Sequence, residues 1–185
     1  IDLVEGTVRY LALVNLAIYR DSGLCDLQLE ESRSGLATPS FGHWVSVYRN
    51  AVGALQQRFP DNEWFKSKDF KKDDALGLAV KALNQATNVS TKYNRLSQFR
   101  FLDAAVELRN RKIGHGNMPD RLAKDILPAV EAGVNQWLDS LTFLEHGTLV
   151  YIKQVVYEKP FFINFGINLS RGAGFEDFQS QSDLG

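Results

Sequence analysis

The sequence predicts a mainly α fold, a helical bundle carrying a small C-terminal β-hairpin appendage. Apolar residues recur at spacings of three and four in segments that run to about residue 143, the period of one helix face. Beyond residue 148 the pattern becomes an alternation, the period of a strand with one buried face. Proline and glycine at Pro60, Gly114, Gly116 and Pro119 fall between the helical stretches and supply stops.

The first helix is expected over residues 2–20, where Leu3, Val4, Val8, Leu11, Val14 and Ile18 form the apolar face and Asp2 and Glu5 sit in the first turn. Residues 21–39 are polar and carry two Ser-Gly pairs, which predicts a loop. Ser40 is suited to cap a second helix over 41–59, with Trp44, Val47, Tyr48, Ala51 and Leu55 inward and Pro60 as the stop. Residues 60–73 mix aromatics with lysines and predict a loop packed back on the bundle. Asp73 or Asp74 opens a third helix to about residue 88, with Leu76, Val80 and Leu83 inward. The fourth runs over 96–113, with Phe99, Leu102, Val106, Asn110 and Ile113 on one stripe. Gly114 and Gly116 are expected to end it in the left-handed conformation. Asp120 is suited to cap a fifth helix over 121–143.

In the tail, Phe161, Ile163, Phe165, Ile167 and Leu169 alternate with Phe162, Asn164, Gly166, Asn168 and Ser170. Residues 149–157, rich in Val, Ile and Tyr, read as the partner strand. The expected organisation is therefore a helical bundle over 1–147, a β-hairpin over 148–171 and a polar, disordered tail over 172–185. The chain begins at Ile1 and is helical in pattern from its second residue, which reads as a piece of a longer protein.

At 185 residues, with 44% hydrophobic and 23% charged side chains, the chain can bury a core. A net charge of −1 excludes a global basic field, so polyanion binding has to come from a local patch. The single cysteine, Cys25, excludes an internal disulfide and fits a reducing, cytoplasmic setting. The longest apolar stretch, residues 10–19, is broken by Asn15 and is shorter than the roughly 20 residues a membrane span needs, so no membrane partner is expected. The three histidines share no metal-ligand spacing and no phosphate-cradling glycine loop is present, so no metal and no cofactor is expected.

One segment concentrates charge. Between Thr91 and Ile113, the six cations Lys92, Arg95, Arg100, Arg109, Arg111 and Lys112 face the two anions Asp103 and Glu107, a local charge of +4. Such a patch suits phosphates. On charge alone it suits better a solvated helix end whose cations favour the C-terminal dipole. On a continuous helix Arg109 and His115 would point roughly 120° apart and could not converge on one atom. A break at Gly114 frees the imidazole. A neutral histidine can act as a base near pH 7, while arginine presents a fixed planar cation that holds a phosphate through two hydrogen bonds. In a third reading Arg109 simply pairs with Glu107 or Asp103.

The stretch Leu108-Arg109-Asn110-Arg111-Lys112-Ile113-Gly114-His115-Gly116 resembles the HEPN superfamily signature: an arginine, an adjacent polar residue, then a histidine a few residues on, at the end of a late helix. The motif covers about nine residues, and the helical pattern extends the resemblance loosely over residues 1–143. The resemblance implies an HEPN-like helical bundle that dimerises. In the ribonuclease members, arginine and histidine from two protomers meet at the interface and cut RNA without metal. Carried onto this chain, His115 is the general acid/base, Arg109 steadies the phosphate charge and Asn110 orients them. Arg100, Arg111 and Lys112 are the expected RNA-binding cations. Other members are non-catalytic sensing, dimerisation or protein-interaction modules of multidomain bacterial-type proteins. The β-hairpin lies outside the expected helical core and favours a module with further domains.

The remaining candidates read as structural. His43, beside Trp44, is expected to pack or cap, and His146 to sit at a helix C-terminus. Trp44, Trp64 and Trp137 are expected in the core.

Overall fold

The computed structural model describes residues 1–89, 96–114 and 118–141, and the backbone of 149–158, 162–171 and 174–183. The chain divides into two compact units, Ile1–Leu141 and Thr142–Gly185. The fold is mainly helical.

The first unit contains α1 (Asp2–Asp21), α2 (Leu27–Ser34), α3 (Phe41–Arg58), α4 (Ala75–Thr87), α5 (Gln98–Leu108) and α6 (Asp120–Asp139). Helix α3 packs on α1, α2 and α5, and α4 packs on α5 and α6. Two short strands, β1 (Asp69–Phe70) and β2 (Leu96–Ser97), pair antiparallel and tie the 60–73 segment to the start of α5.

The core is built from Val8, Leu11, Phe41, Leu55, Leu76, Leu83, Phe101 and Leu102, which are all fully buried. Each such side chain contributes about 1.5–3 kcal/mol over its exposed state. Gln98 is satisfied within this core, whereas the buried Trp44 indole N–H has no hydrogen-bond partner among the described residues. The Gln98 side-chain oxygen accepts the Trp137 indole N–H at 3.4 Å, and its backbone N–H donates to the Lys68 carbonyl at 3.0 Å. The Trp137 ring lies 5.9 Å from that of Phe101. Between α4 and α6 the backbones approach closely at Gly133, where an added Cβ would meet the Ala79 Cβ at 2.4 Å. Nearby, Gln136 accepts the Leu76 N–H at 2.7 Å, satisfying a first-turn donor of α4.

Several expectations are corrected. Residues 27–34, expected in a loop, form α2. Its Asp26 cap accepts the Leu29 N–H at 2.9 Å, and Leu29 is the one side chain of the helix that is buried. A single apolar anchor leaves no period to read. In α1 the buried face is Val4, Glu5, Val8, Leu11, Ala12, Asn15 and Tyr19, whereas Leu3 is 63% exposed. The helix is apolar almost all round, so spacing does not fix its phase. In α5 the buried face is Gln98, Phe101, Leu102, Ala104, Ala105 and Leu108, not the stripe through Phe99, Asn110 and Ile113. Asn110 and Ile113 are exposed.

Other local readings hold. Ser40 caps α3 with His43 in a reciprocal box: the Ser40 N–H donates to His43 Nδ1 at 3.1 Å, and the His43 N–H to the Ser40 hydroxyl. Leu76, Val80 and Leu83 are buried in α4, which ends on Asn88 in the left-handed region at φ 54°. The last helix corrects the expected cap and end: Asp120 lies inside its first turn with Pro119 at the cap, it stops at Asp139 rather than near residue 143, and Pro128 interrupts its hydrogen bonding.

The second unit is a three-stranded antiparallel sheet in the order β3 (Leu149–Glu158), β4 (Phe162–Arg171) and β5 (Gly174–Asp183). Val150 pairs with Leu169 and Ile152 with Ile167, with an irregularity between Ile152 and Gln154. Strand β5 replaces the polar, disordered tail expected over 172–185. Ladder hydrogen bonds come from the backbone, so polar side chains do not prevent a third strand from closing on β4. His146 and Phe161 lie outside the described residues.

Candidate functional site

The motif region begins where α5 runs out of core. Leu108 is the last buried residue of the helix, and Arg109–Ile113 continue it as a π-turn. The Gly114 N–H donates to the Arg109 carbonyl at 2.7 Å, a bond across five residues instead of four. Such wide turns occur often at functional sites. Gly114 itself is right-handed, at φ −61° and ψ −22°, which corrects the expectation of a left-handed stop. What glycine supplies is room: an added Cβ would lie 3.1 Å from the Arg109 carbonyl oxygen. His115 and Gly116 lie outside the described residues, as do Lys92 and Arg95.

Arg109 points toward α1. Its Nε lies 3.0 Å from Glu5 Oε2, and the other Glu5 oxygen accepts from Arg9 one turn along α1. The Glu5 side chain is 9% exposed and that of Arg109 is 38% exposed. A carboxylate so far removed from water needs charged partners: Arg9 provides a charge-assisted hydrogen bond and Arg109 an ion pair. Neither Glu107 nor Asp103 pairs with Arg109. Glu107 accepts from Arg111 at 2.6 Å, and Asp103 from Arg49 at 2.5 Å, with the Arg49 guanidinium 5.2 Å from the Phe99 ring centre.

The structure therefore separates the predicted cations. Arg109 faces α1. Arg111 lies on the other side, where it also reaches the Thr87 carbonyl at the end of α4 at 3.5 Å. Arg100 and Arg111 border a hollow of about 180 Å³ together with Asn84, Asp103 and Glu107. That is smaller than a usual ligand pocket of about 300 Å³ or more. The two acids on its wall oppose a phosphate there. Lys112 is half-buried, and the side chain of the exposed Asn110 makes no hydrogen bond among the described residues. Glu5 was read from sequence only as an acid suited to a helix start. Its spacing of four from Arg9, on the face where Val4, Val8 and Leu11 are buried, is the signal that marks it as a paired charge.

Among the described residues, no cluster of three or more His, Cys, Asp and Glu side chains gathers to hold a metal ion. No helix among them is long and apolar enough to cross a membrane. Comparison with protein-family models, curated proteins and solved structures finds no match to this chain.

Proposed function

We propose that the chain is a HEPN-like domain that acts on RNA as a metal-independent endoribonuclease, with its site at a homodimer interface. The observation that carries this reading is Arg109, fixed by a buried acid at the start of a π-turn, with His115 following in sequence. The 2′-hydroxyl would attack the adjacent phosphorus and break the bond to the 5′-oxygen. His115 would take the 2′-hydroxyl proton, and an imidazolium would return a proton to the leaving 5′-oxygen. Arg109 would steady the negative charge gathering on the phosphate oxygens, and Asn110 would orient the reacting groups. The products are a 2′,3′-cyclic phosphate and a 5′-hydroxyl.

Incubating the purified protein with mixed RNAs in chelator tests this. Cyclic-phosphate ends should appear, and His115→Ala should slow their formation by about two to four orders of magnitude. Arg109→Ala should act likewise. Arg109→Lys should restore only part, since lysine has no planar fork. His43→Ala, which alters only the α3 cap, should leave cleavage in place. Equal background from wild type and His115→Ala would discard the enzyme reading.

The second reading is a non-catalytic HEPN-like sensing or interaction module. Its support is that the charges of Arg109, Arg111 and Arg49 are each met by an acid of the same chain.

A further inference from the structure

We infer that Glu5 is a positioning residue for Arg109, setting the guanidinium for a phosphate of bound RNA. This rests on the reading of Arg109 as a phosphate-binding group. Glu5 is the one charged side chain buried among the described residues. It stands in the first turn of α1, a helix remote in sequence from the motif, and spends one oxygen on each of two arginines. Arg9 lies on its own helix, so α1 alone already balances the carboxylate. The Arg109 contact is a second and separate tie between α1 and the π-turn.

The geometry of that tie is selective. Glu5 engages Nε, the inner nitrogen of the guanidinium. An arginine has five N–H donors, and the four on the terminal nitrogens form the fork that grips a phosphate. Among the described residues no acid other than Glu5 pairs with Arg109. A carboxylate whose closest approach is to Nε restrains the side chain by its charge from the inner side of the group. At a helix end where the backbone has already widened, a long side chain would otherwise sample many rotamers. If Glu5 served only to staple α1 to α5 through Arg109, Glu5→Gln would lower the urea midpoint and leave kcat of the folded protein unchanged.

The kcat of the folded variants separates the two roles, and a double-mutant cycle shows that the effect runs through Arg109. Wild type, Glu5→Gln, Arg109→Ala and the double variant are assayed on RNA in chelator, with helical content checked by circular dichroism. The expected result is a fall in kcat of about ten- to hundred-fold for Glu5→Gln, with KM changed far less. In the Arg109→Ala background Glu5→Gln should add nothing. Glu5→Asp keeps the charge but draws it back, and should fall between; it replaces Glu5→Gln if that variant does not fold. Arg9→Gln, which removes the other partner, should retain kcat.

If wild type cleaves and Glu5→Gln keeps kcat, or the two losses simply add, the positioning role is overturned and the ribonuclease reading stands. If wild type does not cleave, the ribonuclease reading fails, and binding of a 2′-deoxy-substituted RNA decides for Glu5. Several-fold weaker binding by Glu5→Gln that vanishes with Arg109→Ala upholds the positioning role in binding alone. No such coupling overturns it too.

Discussion

Tyr48 shows how one residue links the core to solution conditions. It is 2% exposed, and its ring lies 5.4 Å from Phe99. Burial pushes its phenol up, because the ionised form would lose water, and the hydrogen bond with Gln98 only partly opposes this. The folded chain therefore keeps a proton that the unfolded chain releases above about pH 10. With the folded value raised, stability is fully present below that point and is lost as pH rises, by about 1.4 kcal/mol per unit over this limb. Tyr48→Phe removes the titration and should cost about 0.5–1.5 kcal/mol at neutral pH through the lost hydrogen bond. In urea unfolding between about pH 8 and pH 11, the gap between wild type and variant should narrow as pH rises. A constant gap would mean that this phenol does not drive the alkaline limb. The same scale explains why Glu5 escaped the sequence reading. Its partner Arg109 comes from the far end of another helix, and no local spacing reports a contact of that kind.

At the scale of elements, legibility followed the number of apolar anchors. Helix α4 was readable because Leu76, Val80 and Leu83 share one face and all are buried. Helix α2 was not, because Leu29 alone anchors it. The π-turn was invisible because Arg109–Ile113 bury nothing, and exposed positions carry no period. The contact of α4 with α6 yields a test. Ala at position 133 would improve helix propensity by about 1 kcal/mol but would drive a Cβ onto Ala79 and toward the Ala75 carbonyl. Overpacking of this kind costs about 1–3 kcal/mol or more where backbone must move, so Gly133→Ala should lower the urea midpoint. Gly53, in α3, has no heavy atom within 4 Å of an added Cβ, and Gly53→Ala should raise the midpoint. Equal shifts for the two variants would contradict the close approach of α4 and α6.

For the whole molecule, the division after Leu141 makes the helical unit the natural folding unit. Trp137 and Leu141 are both buried within it, so its last helix is closed by its own core. A chain ending at Leu141 should keep the helical circular dichroism spectrum and unfold in one cooperative transition. A gradual, uncooperative melt would show that the unit depends on the remaining residues. The change from helical to strand pattern near residue 148 was legible because the period itself changed there. The third strand was not, since residues 174–183 carry no alternation of apolar side chains and enter the sheet through backbone groups.

The π-turn has a consequence for deletion. A bond across five residues and a bond across four differ by a single residue, so one residue can be lost after Arg109 by narrowing that turn to an ordinary helical one. Helix α5 up to Leu108 and the Arg109–Glu5 pair lie upstream and keep their register. The number of residues between Arg109 and His115 is thus the elastic part of the motif, while the arginine is its fixed point.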